Sequence, residues 1–238
     1  YTGTGSAATI GHGLSGAPEM IIVKNRDAAD AALVYHANNT AAPETDRLYL
    51  SYAGATADDA TIWNDTAPTS TVFSIGTGNE VNTNTEKYIA YCFDSVAGYS
   101  KIGGYTGDGG SSHTITTGFK PAWVMIKASA TAARPWVIFD GVRSGGLVWN
   151  DYLQANENAA EVVDNTNRKI TVSDTGFTLG IDAYVNANEE SFVYMAFADK
   201  REYAYWLDQS GNNNDWASNN LTESDISVDS PTNNFATL

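Results

Sequence analysis

Two short apolar runs, each ended by a lysine, are the strongest hydrophobic pattern in the chain. They occupy residues 20–23 before Lys24 and residues 122–126 before Lys127. Because apolar and polar positions do not alternate along the first run, it predicts a β-strand buried on both faces. Further apolar runs predict short strands, the first of them its antiparallel partner, at residues 33–35, 48–50, 72–75 and 87–93. No stretch keeps a helical periodicity for three turns, so the chain is predicted to be all-β.

The chain contains an internal repeat of about a hundred residues. Both copies begin Tyr-Thr-Gly-x-Gly and continue through a polar turn and a proline into the apolar run. Lys24 corresponds to Lys127 at an offset of 103 residues. A repeat of this length is too long for a solenoid unit and is typical of an independently folding β-sandwich. The pattern therefore predicts two tandem antiparallel, jelly-roll-like β-sandwich modules, over residues 1–104 and 105–202.

The remaining residues, 203–238, have few apolar anchors and no counterpart in the repeat. They predict an extended arm or linker toward a further domain, with a strand at residues 203–207. The oxygen-rich loop at residues 208–215 offers ligands that Ca²⁺ accepts but lacks the ligand spacing of a known calcium loop. The chain begins at the repeat motif without an initiator methionine, and we interpret it as a piece of something longer.

Composition limits the classes of partner. Hydrophobic residues make up 42% and aromatic residues 11% of the chain, which is enough for packed cores. There are 13 Lys plus Arg against 28 Asp plus Glu, and a formal charge of -15 argues against nucleic-acid binding, which needs clustered cations. No apolar run approaches the ~20 residues of a membrane helix, so no membrane insertion is expected. The single cysteine, Cys92, excludes an internal disulfide and is expected to be buried and unreactive.

Residues that often carry catalysis are not arranged for it. His12 and His113 have no second ligand at a metal-like spacing, and we expect them to be polar turn residues. Ser100 lacks the second glycine of the Gly-x-Ser-x-Gly nucleophile elbow. The glycine-rich residues 107–110 lack the lysine of a phosphate-binding loop. We therefore predict no enzyme activity, no metal site and no cofactor.

The tripeptide Trp-Asn-Asp occurs twice, at positions that do not correspond in the repeat. An aromatic face beside an amide and a carboxylate can hold a sugar ring by stacking and bidentate hydrogen bonds. A core tryptophan followed by turn residues is the alternative interpretation. The candidate glycan-binding residues are Trp63, Asn64, Asp65, Trp149, Asn150 and Asp151.

Together these motifs resemble modules in structural proteins of tailed bacteriophages, especially marine ones. The resemblance rests on Tyr-Thr-Gly-x-Gly, a Gly-Leu or Gly-Phe, a proline and an apolar strand ending in lysine, in residues 1–24 and 105–127. Residues 62–70 and 229–238 are similar to the same family. Residues 208–216 resemble the joint that leads into concanavalin- or laminin-G-like lectin domains. The second module lacks the Trp-Asn-Asp-Thr-Ala-Pro sequence of the first.

The resemblance implies a non-catalytic structural protein on the virion surface, foremost a tail fibre that binds the host surface. A capsid decoration, head fibre or shaft spacer with a purely structural role is the alternative. A polysaccharide depolymerase is a second rival, which lacks acid/base signatures. The expected partners are other virion proteins, further copies of the chain (a trimer by analogy) and a host cell-surface glycan. The arm is expected to add a strand to an exposed sheet edge of a neighbouring subunit.

Overall fold

The computed structural model describes residues 1–198, in which short antiparallel strands form two β-sandwiches. The prediction of an all-β sandwich fold is therefore confirmed. The predicted arm at residues 203–238, with its strand and its oxygen-rich loop, lies outside these described residues. Each α-helix among residues 1–198 is a single turn, and none is long and apolar enough to cross a membrane.

The first repeat, called module 1, contains seven strands, a 3₁₀ turn (Pro43–Thr45) and two one-turn helices, α1 (Ala60–Trp63) and α2 (Asn79–Asn82). Its strands are β1 (Ala8–Gly11), β2 (Met20–Asn25), β3 (Leu33–His36), β4 (Asp46–Tyr49), β5 (Ala57–Asp58), β6 (Val72–Ile75) and β7 (Tyr88–Phe93). The larger sheet has the order β5-β4-β3-β2-β7, and β1 pairs with β6 in the smaller one. The predicted pairing of residues 33–35 with the first apolar run is the β2–β3 hairpin.

The second repeat, called module 2, has nine strands and two more one-turn helices, α3 (Gly141–Ser144) and α4 (Ala183–Asn186). Its strands are β8 (Ser100–Thr106), β9 (Thr114–Thr116), β10 (Pro121–Ala128), β11 (Val137–Asp140), β12 (Val148–Trp149), β13 (Leu153–Gln154), β14 (Ile170–Ser173), β15 (Gly176–Leu179) and β16 (Ser191–Ala198). They form one sheet of order β13-β11-β10-β16-β8 and a second of order β12-β14-β15-β9.

Strand β8 crosses the position, between residues 104 and 105, where the sequence places the start of module 2. It pairs with β16 from Ser100 opposite Phe197 to Thr106 opposite Ser191. Its glycines disfavour a strand by propensity alone, and the sequence pattern did not predict one here. The tertiary reason is close approach, because a Cβ on Gly103 would lie 2.6 Å from the Tyr194 hydroxyl.

The repeated Tyr-Thr-Gly-x-Gly motif is held against the one-turn helix that precedes the last strand of each module. In module 1, the Tyr1 hydroxyl donates to the Val81 carbonyl at 2.7 Å. The buried Asn82 side chain accepts from the Thr4 amide at 2.8 Å and donates to the Ser6 carbonyl at 2.7 Å. These hydrogen bonds join both the tyrosine of the motif and the residues around its second glycine to helix α2.

Module 2 repeats the same three contacts. The Tyr105 hydroxyl donates to the Val185 carbonyl at 2.6 Å. Asn186 accepts from the Asp108 amide at 3.0 Å and donates to the Gly110 carbonyl at 2.7 Å. Because both copies use the motif to bind their own α2 or α4 turn, the motif is part of the architecture of each module.

The outer faces of the two five-stranded sheets pack against each other and form a shared apolar layer. Its fully buried members are Met20, Val34 and Leu48 from module 1, and Ile102, Met125, Trp136, Val193 and Met195 from module 2. On the opposite face of β2, Ile21 and Val23 lie in the core of module 1. The predicted two-sided burial of residues 20–23 is confirmed, and residues 1–198 form one compact unit.

Hydrogen bonds also cross between the modules at the rim of this layer. Loop residues of module 1 and module 2 pair through their backbones, and one indole donates across the contact. These bonds are Thr56 N to Ser129 O at 2.8 Å, Ala133 N to Ala53 O at 2.8 Å, and Trp136 Nε1 to Tyr49 O at 2.7 Å.

His36, at the end of β3, is a buried neutral group in the same contact. Its Nδ1 accepts from the Asn38 amide at 3.2 Å, so Nε2 carries the proton and donates to the Tyr194 carbonyl of module 2 at 3.2 Å. Burial lowers the pKa of His36 to about 4, although the bond to Tyr194 opposes the shift. An imidazolium would lose its solvation here and gain no carboxylate partner within the bonds described.

We expect Gly3→Ala to destabilise the protein, because a Cβ at Gly3 would overlap the carbonyl oxygen of Thr83. The cost of such overpacking is about 2–3 kcal/mol of the free energy of unfolding, measured by denaturant titration. Gly11→Ala is the matched control, since its nearest new neighbour is a Thr71 carbonyl oxygen 3.9 Å away. Equal unfolding free energies for the two variants would contradict the steric assignment.

We expect the free energy of unfolding to fall as pH drops from about 6.5 to about 4, partly through His36. The unfolded chain takes up a proton in this window and the native His36 does not, so the stability present above pH 6.5 is lost, by up to roughly 3 kcal/mol. His36→Gln should remove this component, and His12→Gln, at a turn near the surface, should retain it. Urea titrations at pH 7, 5.5 and 4.5 measure the difference; parallel profiles for wild type and His36→Gln would exclude it.

Candidate functional site

The structure buries both tryptophans of the Trp-Asn-Asp tripeptides. Trp63 is 2% exposed in the core of module 1 and packs edge-on against Tyr35, with ring centroids 6.0 Å apart. Trp149 is 2% exposed in the core of module 2, where Nε1 donates to the Gly146 carbonyl at 3.3 Å. A buried ring has no face for a sugar, so the stacking role predicted for these two side chains is wrong.

The polar residues of the tripeptides shape turns. Asn64 and Asp65 are exposed and hold the left-handed backbone, with φ of 54° and 43°, that ends α1. Asn150 is half-buried, and its carbonyl accepts from the Asn165 amide at 3.1 Å. Asp151 accepts from the Asp164 amide at 2.9 Å. The two tripeptides lie in different cores, and the structure does not join them into one site.

Two stacked tyrosines lie beside an arginine at the end of β4, and of the two rings Tyr52 is exposed while Tyr49 is half-buried against the core of module 1. Tyr49, at the end of β4, stacks on Tyr52 with centroids 4.1 Å apart and planes 28° apart. Tyr52 is 46% exposed. The Arg47 guanidinium carbon lies 4.4 Å from the centre of the Tyr49 ring. We call Arg47, Tyr49, Tyr52 and Asp59 the tyrosine platform.

Asp59 fixes the arginine of the tyrosine platform. One carboxylate oxygen accepts from Arg47 Nε at 2.7 Å. The other accepts from the amide and hydroxyl of Thr61 and so caps α1. Burial raises the pKa of Asp59, but the bonds from Thr61 and Arg47 outweigh burial and hold the pKa below its ordinary value. The carboxylate therefore stays ionised near neutral pH, and the ion pair carries no net charge.

The tyrosine platform lies beside the contact between the modules. The loop that carries Tyr52 continues into Ala53, whose carbonyl accepts from the Ala133 amide of module 2. The Tyr49 carbonyl is the acceptor for Trp136 Nε1. Backbone bonds to a second module thus hold the loop in place, which preorganises the stacked rings.

Sequence reasoning missed the tyrosine platform. Its local signal is Arg-Leu-Tyr-Leu-Ser-Tyr at residues 47–52, in which alternation places Arg47 and Tyr49 on one face of a strand. That signal did not indicate that the turn would fold Tyr52 back onto Tyr49. Asp59 arrives from beyond β5, which only the pairing of β4 with β5 brings close.

A second cluster, at the end of β10, contains a buried lysine. Lys127 has no exposed surface, and its Nζ donates to the Ala128 carbonyl at 2.5 Å. Burial lowers the pKa of Lys127 to about 8, although the charge of Glu190 opposes the shift. Glu190 Oε2 accepts from Thr131, and its buried Oε1 has no hydrogen-bond partner among residues 1–198.

The two modules differ at this position. In module 1 the counterpart Lys24 is half-buried and donates to two backbone carbonyls. Asn25 donates to Glu86 at 2.5 Å. Its counterpart in module 2 is Ala128, whose side chain has no donor for a hydrogen bond to Glu190. Glu190 acts on the Lys127 amine through its charge, but no hydrogen bond or ion pair joins the two side chains, and the amine is fully buried.

The histidines and the cysteine have local roles. His12 bonds to the Thr69 carbonyl at 3.1 Å, and His113 bonds to Asn186 at 3.2 Å. Cys92 is half-buried, which corrects the expectation of full burial, and burial still raises the pKa of its thiol to about 11. In the described part of the chain, no group of three His, Cys, Asp or Glu side chains could hold a metal ion.

Comparison with known proteins gives one family match. The family described as "Domain of unknown function (DUF7483)" matches residues 1–201, which include both modules. No curated protein and no solved structure matches the chain. A single family domain thus includes both repeats. This agrees with the shared apolar layer, which contains residues of both modules.

We expect the unfolding free energy of the wild type to rise, relative to Lys127→Met, between pH 8 and about 10. The folded pKa is below the unfolded one, so the unfolded state binds more protons in this window and stability grows with pH, by up to roughly 3 kcal/mol. Both proteins contain the same tyrosines, whose titration cancels in the difference. Lys24→Met is the matched control, and its unfolding free energy should rise relative to that of Lys127→Met as the wild type does. No pH-dependent difference between wild type and Lys127→Met would contradict the assignment.

Proposed function

The chain belongs to the DUF7483 family, and from that premise we propose that it is a non-catalytic structural protein of a tailed-bacteriophage virion that binds the host surface. The observation that carries the proposal is the shared apolar layer, which joins two repeated modules into one unit. Joined modules suit a part that must transmit force or hold a binding surface at a distance. The resemblance of the repeat motifs to phage structural modules supports the same role.

The contact with the host is proposed to be the tyrosine platform. An exposed tyrosine ring, Tyr52, stacked on the half-buried Tyr49 and lying beside hydrogen-bonding groups suits the apolar faces and hydroxyls of sugar rings. The Arg47–Asp59 pair has no net charge. A chain of formal charge -15 repels anionic polymers. We therefore propose a neutral cell-surface glycan as the ligand class.

The alternative is a spacer or capsid decoration with no receptor contact. The same apolar layer favours it, because joined modules serve a shaft as well as an adhesin. The two roles differ in whether an isolated chain binds host cells. The oligomeric state, a trimer by analogy, stays a prediction and is measured by the solution mass of the purified chain.

Antibodies raised against the purified chain should label intact tailed-phage particles produced from the genome that encodes it. Gold label on the tail in electron micrographs supports the adhesion role, and label on the capsid supports the decoration alternative. Particles that stay unlabelled, while the denatured particle proteins react on a blot, would exclude an exposed virion role.

We expect Tyr52→Ala to weaken binding to an array of neutral bacterial surface glycans by roughly five- to tenfold, because an aromatic contact is worth about 1 kcal/mol. Tyr91→Ala is the matched control, since Tyr91 is 50% exposed on β7 at the other edge of the same sheet. Equal losses in both variants would contradict the platform. Binding by neither the wild type nor the variants would favour the spacer.

A further inference from the structure

The last strand of module 1 has an edge that is only partly paired. β7 lies at the end of its sheet, beside β2. On its other side, Tyr1 and Tyr88 exchange two backbone hydrogen bonds of 3.0 and 2.9 Å, and Thr2 bridges to Lys87. Within residues 1–198, no strand continues this pairing along residues 89–93.

The internal repeat shows what covers the corresponding edge in module 2. Tyr105 lies opposite Phe192, as Tyr1 lies opposite Tyr88. From there β8 continues along β16 until Ser100 lies opposite Phe197. Five residues of β8, 100–104, therefore occupy on module 2 the edge that no strand of residues 1–198 covers on module 1.

The core-facing side chains of β7 are less buried than their counterparts in module 2, which lie beneath β8. Ala90 and Cys92 pack against the core of module 1 but are only half-buried. Their counterparts in module 2 are Tyr194 and Ala196, which are buried beneath β8. The same positions are thus closed to solvent where the covering strand is present.

The opposite face of β7 shows the same difference. Ile89 is 37% and Tyr91 is 50% exposed. Their counterparts in module 2, Val193 and Met195, are buried in the shared apolar layer. An apolar strand with both faces partly open retains surface that a further strand would cover.

The backbone of this edge is available for pairing. Because Tyr1 and Tyr88 form a hydrogen-bonded pair, the alternation of antiparallel bonds directs the N–H and C=O groups of Ala90 and Cys92 toward the open side. β7 contains neither a charged residue nor a proline, which are the usual protections of an exposed edge.

We propose that the open edge of β7 receives an extended peptide strand of the β8 type, antiparallel to β7 and placed directly ahead of Tyr1. The Tyr1–Tyr88 pair sets the register, so five residues lie opposite residues 89–93. In module 2, Gly103 is required opposite Tyr194 because a Cβ there would meet the tyrosine ring. Ala90 is much smaller than Tyr194, so we expect the strand on β7 to accept an apolar residue larger than glycine opposite it.

The test joins Ser-Lys-Ile-Gly-Gly, the sequence of residues 100–104, ahead of Tyr1 of the full chain. Its matched control, Ser-Pro-Ile-Pro-Gly, removes the two N–H donors that face Cys92 and Ala90. We expect amide exchange at Ala90 and Cys92 to be at least about tenfold slower in the first protein than in the control. Alkylation of Cys92, the single cysteine, should slow as well.

Equal exchange and alkylation rates in the two extended chains would overturn the proposal. All the extended proteins keep residues 1–238 unchanged. Circular dichroism checks that each of them is folded before their exchange rates are compared. Concentration-dependent protection of Ala90 in the unextended chain would mean that a second copy occupies the edge, which also overturns the proposed occupant.

A third protein tests the register. Ser-Lys-Ile-Val-Gly places valine opposite Ala90, where we expect it to fill the space that Tyr194 fills in module 2. Its amide exchange at Cys92 should be slower than with Ser-Lys-Ile-Gly-Gly. Faster exchange with valine would contradict the register, because it would mean that the position has no room for a side chain.

Discussion

The burial of both faces of the two five-stranded sheets is the constraint on which the rest of the structure depends. A single sandwich needs only one apolar face on each sheet, and its other face can meet water. Here the outer faces carry Met20 and Val34 on one side and Met125 and Met195 on the other, and they cover each other. Apolar burial of this extent dominates the stability of a domain. The two repeats therefore form one compact unit, and loops such as the one bearing Tyr52 are held by bonds across the contact.

In each module the same hydrogen bonds join the repeated Tyr-Thr-Gly-x-Gly motif to the one-turn helix before the last strand. The tyrosine of the repeated motif bonds to the one-turn helix, and an asparagine bonds on both sides of the following turn. The polar groups of these glycine-rich turns are thereby engaged in hydrogen bonds within their own module. Around these contacts the two copies differ: Ala128 stands where module 1 has Asn25, and Glu190 has no counterpart of the hydrogen bond from Asn25 to Glu86.

Module 1 differs from module 2 at the edges of its larger sheet. Its sheet ends on one side at the short β5, near the tyrosine platform, and on the other at β7. Module 2 covers the edge equivalent to β7 with β8. The tyrosine platform and the edge that no strand of residues 1–198 covers thus lie on opposite sides of one sheet.

The sequence alone determined the fold class, the duplication and the two-sided burial of residues 20–23, because these depend on local periodicity and on residues that recur at a fixed offset. It left the role of Trp63 and Trp149 open, because the same tripeptide suits a core residue and a sugar platform. Only tertiary packing decided that both rings are buried. Strand β8 could not be predicted from the sequence pattern because Gly103 is explained by Tyr194 and Gly104 by Asn38 and Phe192, all of which are distant along the chain. The tyrosine platform depends on Asp59 and the loop after β4, and the open edge of β7 depends on which strands lie beside it. Such contacts between distant residues leave no periodic signal, so only the tertiary structure could place them.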